Sequence, residues 1–436
     1  MLKVFRLNSR QKLKLLKLLS RYFHKVKAGA LQLVVFVTVV IALLLTSFIL
    51  YVHMNKVYEL DTEYTIEAIK VTDAGYEWLV NYDMVYGDTI FKQVSNSESF
   101  KAVKKHWGLF DLTHVEGKSH SKVFKKVALM GGSTPLSDQL ALKLSNSRNP
   151  LVVVGNTHLK GELYMSSYGI KPGNISGLYY QNQTLYEGNL NTSDIRLSIQ
   201  DEKNEYLKSI SLVYDSRDHQ FITDISKPVT NSFTNTAQVY YSQNEIDLSG
   251  RSICGHVVIQ SEQSILVDGS SSLEDVMLIA PEIIIKQGFK GTLQCFSSQL
   301  ISVDKNVLLK YPSTLFINPN QSNLSEKDPK LVVNSGSEIQ GNLIYLKNDK
   351  IQDQYDSNIY IGSNSIISGI VYSEQNVELY GNVNGSVVAD RFITKYESSV
   401  YLNHLLNVKI TAENISKYNS GIPFSISEKS VSKWLY

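Results

Sequence analysis

One short element recurs along this chain and limits what it can fold into. A glycine stands between two apolar residues, each one position removed: Leu159-Gly161-Leu163, Ile253-Gly255-Val257, Phe289-Gly291-Leu293, Ile339-Gly341-Leu343, Ile367-Gly369-Val371 and Val383-Gly385-Val387, with Leu273-Asp275-Met277 as a variant. Ahead of most copies runs a second alternating segment, and it keeps register: Ile265, Ile283 and Ile301 lie 18 residues apart, as do Ile359 and Val377. Alternation at period 2 makes each segment a strand that buries one face. A unit this short cannot hold a strand–helix–strand crossover, so successive strands must coil into a parallel β-solenoid, each coil stacking its Ile, Val and Leu on the next. Glycine at the corner permits a tight turn or a positive φ, and the abundant Asn and Ser suit turns and can ladder between coils. A β-sandwich also alternates, but its loops vary more in length.

The stretches NSGSEIQGNLIYL (334–346), NIYIGSNSIISGIVYSE (358–374) and NVELYGNVNGSVVADRF (376–392) resemble the bactofilins, polymer-forming β-helix proteins. The resemblance covers roughly residues 250–410. It implies a right-handed parallel β-helix whose coils stack end to end through apolar contacts, with no nucleotide or metal. The chain departs from that family in its length, in its apolar N-terminal run, and in inserts at 318–330 and 346–357 that read as loops on the solenoid wall.

Near the N-terminus, residues 28–55 contain no charge and residues 31–52 are almost wholly apolar. At ~1.5 Å per residue that run crosses a hydrocarbon core of ~30 Å. A secretory signal would be shorter and would end in a small-x-small cleavage site, which LLLTSFILYV (43–52) lacks. Residues 1–29 hold nine Lys and Arg and no Asp or Glu, so the positive-inside rule predicts a cytoplasmic N-terminus, with the bulk of the chain periplasmic or extracellular. The segment LKLLKLLSRYF (13–23) reads as a basic surface helix on the inner leaflet. Without the nine leader residues, 34 Lys and Arg face 41 Asp and Glu, a mildly acidic remainder that gives no reason to expect nucleic acid as a partner.

The same N-terminal stretch is similar to the plan of type IV pilins and pseudopilins. Lys27-Ala28-Gly29-Ala30-Leu31 places a glycine at the end of a basic leader, and residues 57–80 continue the apolar run as an amphipathic helix. The resemblance implies a processing site between Gly29 and Ala30. It departs at Val34, where most pilins have Glu.

The chain therefore reads as mainly β, with a single-pass N-terminal transmembrane helix, a small mixed region and a parallel β-helix. The expected divisions are a basic cytoplasmic leader (1–29), a transmembrane helix (30–55), an amphipathic extension (56–82), a small α+β region (83–147), a β-rich region with a first coil and an insertion (148–248), the β-helix (249–410) and a C-terminal cap (411–436). Phe424, Trp434, Leu435 and Tyr436 would supply that cap.

Chemistry-bearing motifs are sparse. HVEGKSH (114–120) lacks the i, i+4 histidine pair of a helical zinc site and reads as a turn. GGSTP (131–135) lacks the context of a nucleophile elbow, and no phosphate-binding loop or dinucleotide fingerprint occurs. Asp268, Asp275, Asp304, Glu378 and Asp390 with Arg391 are the candidates for a carboxylate pair of the kind solenoid glycosidases use, but their places in the repeat do not coincide. Cys254 and Cys295 have no metal-ligand spacing and can be either a disulfide or two core thiols. The expectation is a non-enzymatic structural or scaffold protein of the cytoplasmic (inner) membrane, without cofactor or metal. Its partners would be the lipid bilayer and proteins, copies of itself included, met through the β-helix or the N-terminal helix. The alternatives are a minor pilin-like filament component and a surface polysaccharide enzyme.

Overall fold

A computed structural model describes residues 14, 17, 28–133, 140–145, 149–192, 197–210, 220–321, 328–347, 355–412, 421–425 and 427–435. Most of the basic leader, much of both wall inserts and Tyr436 lie outside the described residues. The fold is mainly β, built on one long N-terminal helix and a large set of parallel strands.

Helix α1 (Ala28–Asn81) is 54 residues long, ~80 Å at the standard rise. Its apolar half is bare, from Leu31 to Tyr58. The outer half buries a stripe of Ala68, Val71, Thr72, Gly75, Tyr76 and Leu79, whose three- and four-residue spacing is that of one helix face. The stripe packs on an antiparallel meander, β1 (Thr89–Gln93), β2 (Glu98–Trp107), β3 (Phe110–Ser119) and β4 (Lys122–Ser133). Two glycines allow the approach. A Cβ on Gly75 would come within 2.6 Å of Val115, and one on Gly117 within 2.6 Å of the Ala68 carbonyl. Gly117 and Ser119 thus belong to strand β3, not to the turn that HVEGKSH suggests; only His120 turns, and its ring stacks on Tyr64.

The solenoid has three faces. Inward side chains of the first face stack in register as Ile265, Ile283, Ile301, Leu331, Ile359 and Val377. Its turns into the second face use left-handed Gly288, Asn306, Gly336 and Asn364, and serines bond from coil to coil: Ser337 donates to the Asp304 carbonyl at 2.7 Å and Ser365 to that of Asn334 at 3.0 Å. The repeated glycine forms the corner between second and third faces. Gly341, Gly369 and Gly385 are cross-strand neighbours with φ near +154°, and a Cβ on any of them would lie within 2 Å of a carbonyl oxygen in the adjoining coil. Asp275 takes the same corner in the left-handed region.

The coil at 151–164 is not a lone precursor of the main array. Leu151–Val154 pairs with His404–Leu406, His158–Lys160 with Lys409–Thr411, and Leu140–Leu144 with residues 387–389, all parallel. The first coil therefore sits on the last. One turn of the solenoid takes its second face from residues 409–411 and its third from residues 140–144. The chain then runs down the wall through α2 (Asp201–Ser209) and winds back up from residue 220. Partly buried Tyr180, Leu185, Tyr186 and Leu190 pack on the core beside the first coil, and Ile222, Val229 and Tyr240 do so where the main array begins.

The C-terminal segment does not take the expected place over an open end. Residues Glu428–Trp434 pair with β4 as the fifth strand of the antiparallel sheet. Trp434 meets Tyr76 of α1 edge-on at 4.7 Å, while Phe424 packs on Tyr372 of the solenoid wall. That wall is the third face, which is apolar on both sides: Leu278, Cys295, Leu315, Leu343 and Val371 point inward, Ile279, Phe296, Phe316, Ile344 and Tyr372 outward. The outward row is covered by α2, the C-terminal segment and the far end of the meander.

Candidate functional site

Two places in the molecule combine unusual chemistry with a built environment. The first is the bare half of α1, the one described helix long and apolar enough to cross a membrane. Gly29 and Ala30 are the second and third residues of this helix, exposed, with open space where a Gly29 Cβ would stand. An uncharged helix with no protein cover requires lipid or other helices around it, because water gains nothing from this surface.

The second is a buried charge cluster that fastens α2 to the meander. Lys203 is 1% exposed, and its ammonium donates to Asp111 at 2.6 Å, to the Phe110 carbonyl at 3.1 Å and to Nδ1 of His106 at 3.3 Å. The Tyr86 hydroxyl donates to the same carboxylate at 2.9 Å. Tyr86, His106 and Tyr206 stack as three layers, with centroid separations of 3.5 and 3.8 Å, and the Lys104 ammonium lies 3.9 Å from the Tyr86 ring centre. Burial pushes the Lys203 ammonium down and the Asp111 carboxylate opposes that shift. Burial, then the neighbouring Lys203 charge, holds His106 at about 3, so it is neutral at physiological pH and its Nδ1 can accept the lysine's hydrogen bond. A charge taken out of water in this way is stable only while its partners are in place. Lys203, Asp111, Tyr86 and Nδ1 of His106 are bonded to one another, and the cluster acts as a fastening.

A fastening of a different kind lies on the solenoid side. The Gln294 side chain accepts from the Leu109 amide at 2.9 Å and donates to the Trp107 carbonyl at 3.2 Å, so it grips both ends of the β2–β3 turn. None of Lys203, Asp111, His106 or Gln294 stands in a recognisable motif. The only signal for Lys203 in the sequence is its four-residue spacing from Leu207, the other buried residue of α2.

The carboxylates considered for catalysis hold local structure. Asp268 accepts from the Ser270 amide and hydroxyl at 2.9 and 2.6 Å, and that hydroxyl keeps its carboxyl below the usual range. Both oxygens of Asp275 accept from Lys433 at 2.7 Å, which ties the C-terminal strand to the solenoid. Glu378 is buried and accepts from Ser357 at 2.7 Å and Tyr380 at 2.9 Å. Asp304 follows a first-face strand, while Asp390 and Arg391 lie within strand Asn382–Tyr396. Cys254 and Cys295 are both free thiols. Cys295 points into the core, where burial pushes its thiol up; Cys254 sits on the second face near Asp275 and Glu274.

No family model matches the chain, and no curated protein matches it. Among solved structures, the crystal structure of the competence-associated pilin ComZ from Thermus thermophilus is similar over 85% of this chain and 97% of that one, at 9% identity and a TM-score of 0.20. A score of that size does not establish a common fold.

Proposed function

We propose that this chain is a membrane-anchored, non-enzymatic display protein that assembles as a type IV pilin-like filament subunit, its leader cytoplasmic and its solenoid held outside the membrane. The observation that carries this reading is the way the solenoid is inserted. Ser133 ends the fourth strand of the helix-bound sheet, and Glu428, nearly three hundred residues later, is its cross-strand partner in the fifth. The anchor and its sheet form one small unit, and the solenoid is cargo spliced between two neighbouring strands. Basic residues throughout the leader support the orientation. Bactofilin-like stacking of solenoid ends is not part of this proposal, which rests on the anchor and its sheet.

Intact-mass measurement of the protein isolated from membranes tests the reading. A mature chain beginning at Ala30 is the expected result. A chain that retains Met1 and remains monomeric would leave a plain anchor with the same cargo, and the filament form would be abandoned.

A further inference from the structure

The helix-on-sheet unit is electrically two-sided. From residue 56 to residue 81, α1 carries six acidic residues against two lysines, whereas strands β1–β4 carry eight lysines against three acids. Some of this imbalance is used internally, as in Lys122 with Asp61 at 2.6 Å and Lys126 with Asp73. Further charges point outward on opposite sides, where Glu116 pairs with Lys125 and Glu59 with Lys56, each at 2.9 Å. On the sheet face turned away from α1, Phe91, Lys101, Glu116 and Lys125 form one cross-strand row, and Ser99, Lys118 and Val123 form the next. Phe91 is 65% exposed and Val123 48%, with exposed Lys101 and Lys118 between them. Neither lysine has an ion-pair partner among the described residues. The solenoid covers only the far end of this face, at Leu112, Val127 and Leu129. On the outer side of α1, Glu59, Glu63 and Ile66 follow at i, i+4 and i+7, and Ile66 is 47% exposed.

We propose that a second copy of this chain seats the Glu59–Glu63–Ile66 stripe of its α1 on the Phe91–Lys101–Lys118–Val123 face of the first, apolar residues against apolar and carboxylates against lysines. The proposal rests on the filament reading and names the head-to-head surface for it. The two patches lie on opposite sides of one two-layered unit, so the contact is heterologous. A contact of that kind leaves a free patch at each end and propagates, where an isologous one would stop at a dimer. Complementary charge at the rim fixes the register of successive subunits, and the partly exposed Phe and Ile supply the burial.

The test uses the full chain in membranes, with light and heavy isotope-labelled copies mixed and a Cys254→Ser background. Carbodiimide should join Lys101 or Lys118 of one copy to Glu59 or Glu63 of the other. A Val39→Cys reporter in the bare half of α1 should form disulfide-linked dimers independently. Lys101→Glu with Lys118→Glu removes the reacting amines and Glu59→Lys with Glu63→Lys the reacting carboxylates, so either variant alone should lose these links, and co-expression of the two should restore them between unlike copies. If Val39→Cys dimers form but the carbodiimide links are absent in the unsubstituted protein or are not restored by co-expression, the surface is wrong and the filament reading survives. If neither link forms, both fall.

Discussion

Gly369 illustrates how a single residue sets the shape of a coil. Its φ of +153° belongs to a region that L side chains rarely adopt, and a Cβ there would lie 1.9 Å from the Gly341 carbonyl. Gly288 is also left-handed but faces open space. Gly369→Ala should therefore cost ~1–3 kcal/mol or more through strain and collision, and Gly288→Ala clearly less. Chemical-denaturation midpoints of the two variants check this; equal losses would mean that the close approach contributes nothing. The corner glycines were legible in the sequence because one steric requirement recurs at each coil. Gln294 was not legible, because what it grips, the turn at Gly108, is 186 residues away in the chain.

At the scale of elements, α2 is held by a lysine that must stay charged beside a histidine that must stay neutral. The sign of the resulting pH dependence follows from the depressed value of His106. Above about pH 6.5 the ring is neutral whether folded or not, and the contribution is whole. As pH falls toward about 3 the unfolded state takes up a proton that the folded site refuses, and stability is lost. His114, held at about 4 mainly by burial, acts in the same direction. Hydrogen exchange of residues 201–209 should accelerate between pH 6.5 and 4 after correction for intrinsic rates, and His106→Phe should flatten the change; a profile unaltered by the substitution would disprove the coupling. Periodicity revealed α1 and the first-face strands, whose alternation is clean. It also carried a cue to the third face, where VVIQ, VMLI and STLF run without alternation, as strands buried on both sides do. What those strands pack against was not in the cue.

At the scale of the whole molecule, the solenoid closes on itself across the sequence. Leu142 is fully buried, with Val387 as its neighbour on one side and Leu163 on the other. Leu142→Ala should cost ~2–5 kcal/mol. It should also loosen two segments far apart in sequence, residues 404–411 as well as 151–164, in hydrogen-exchange mass spectrometry. Loss of protection confined to the earlier segment would refute the shared turn. The membrane-length helix and the parallel coils can be read along the chain, because both arise from local periodicity: unbroken apolarity in one, alternation with a recurrent glycine in the other. That the first coil sits on the last, and that residues 428–434 complete the anchor's sheet rather than a solenoid end, emerges only in the folded molecule. The same holds for the lysine that binds α2 to the meander. Those choices depend on which apolar faces meet across hundreds of residues, and hydrophobic burial carries no address in the chain.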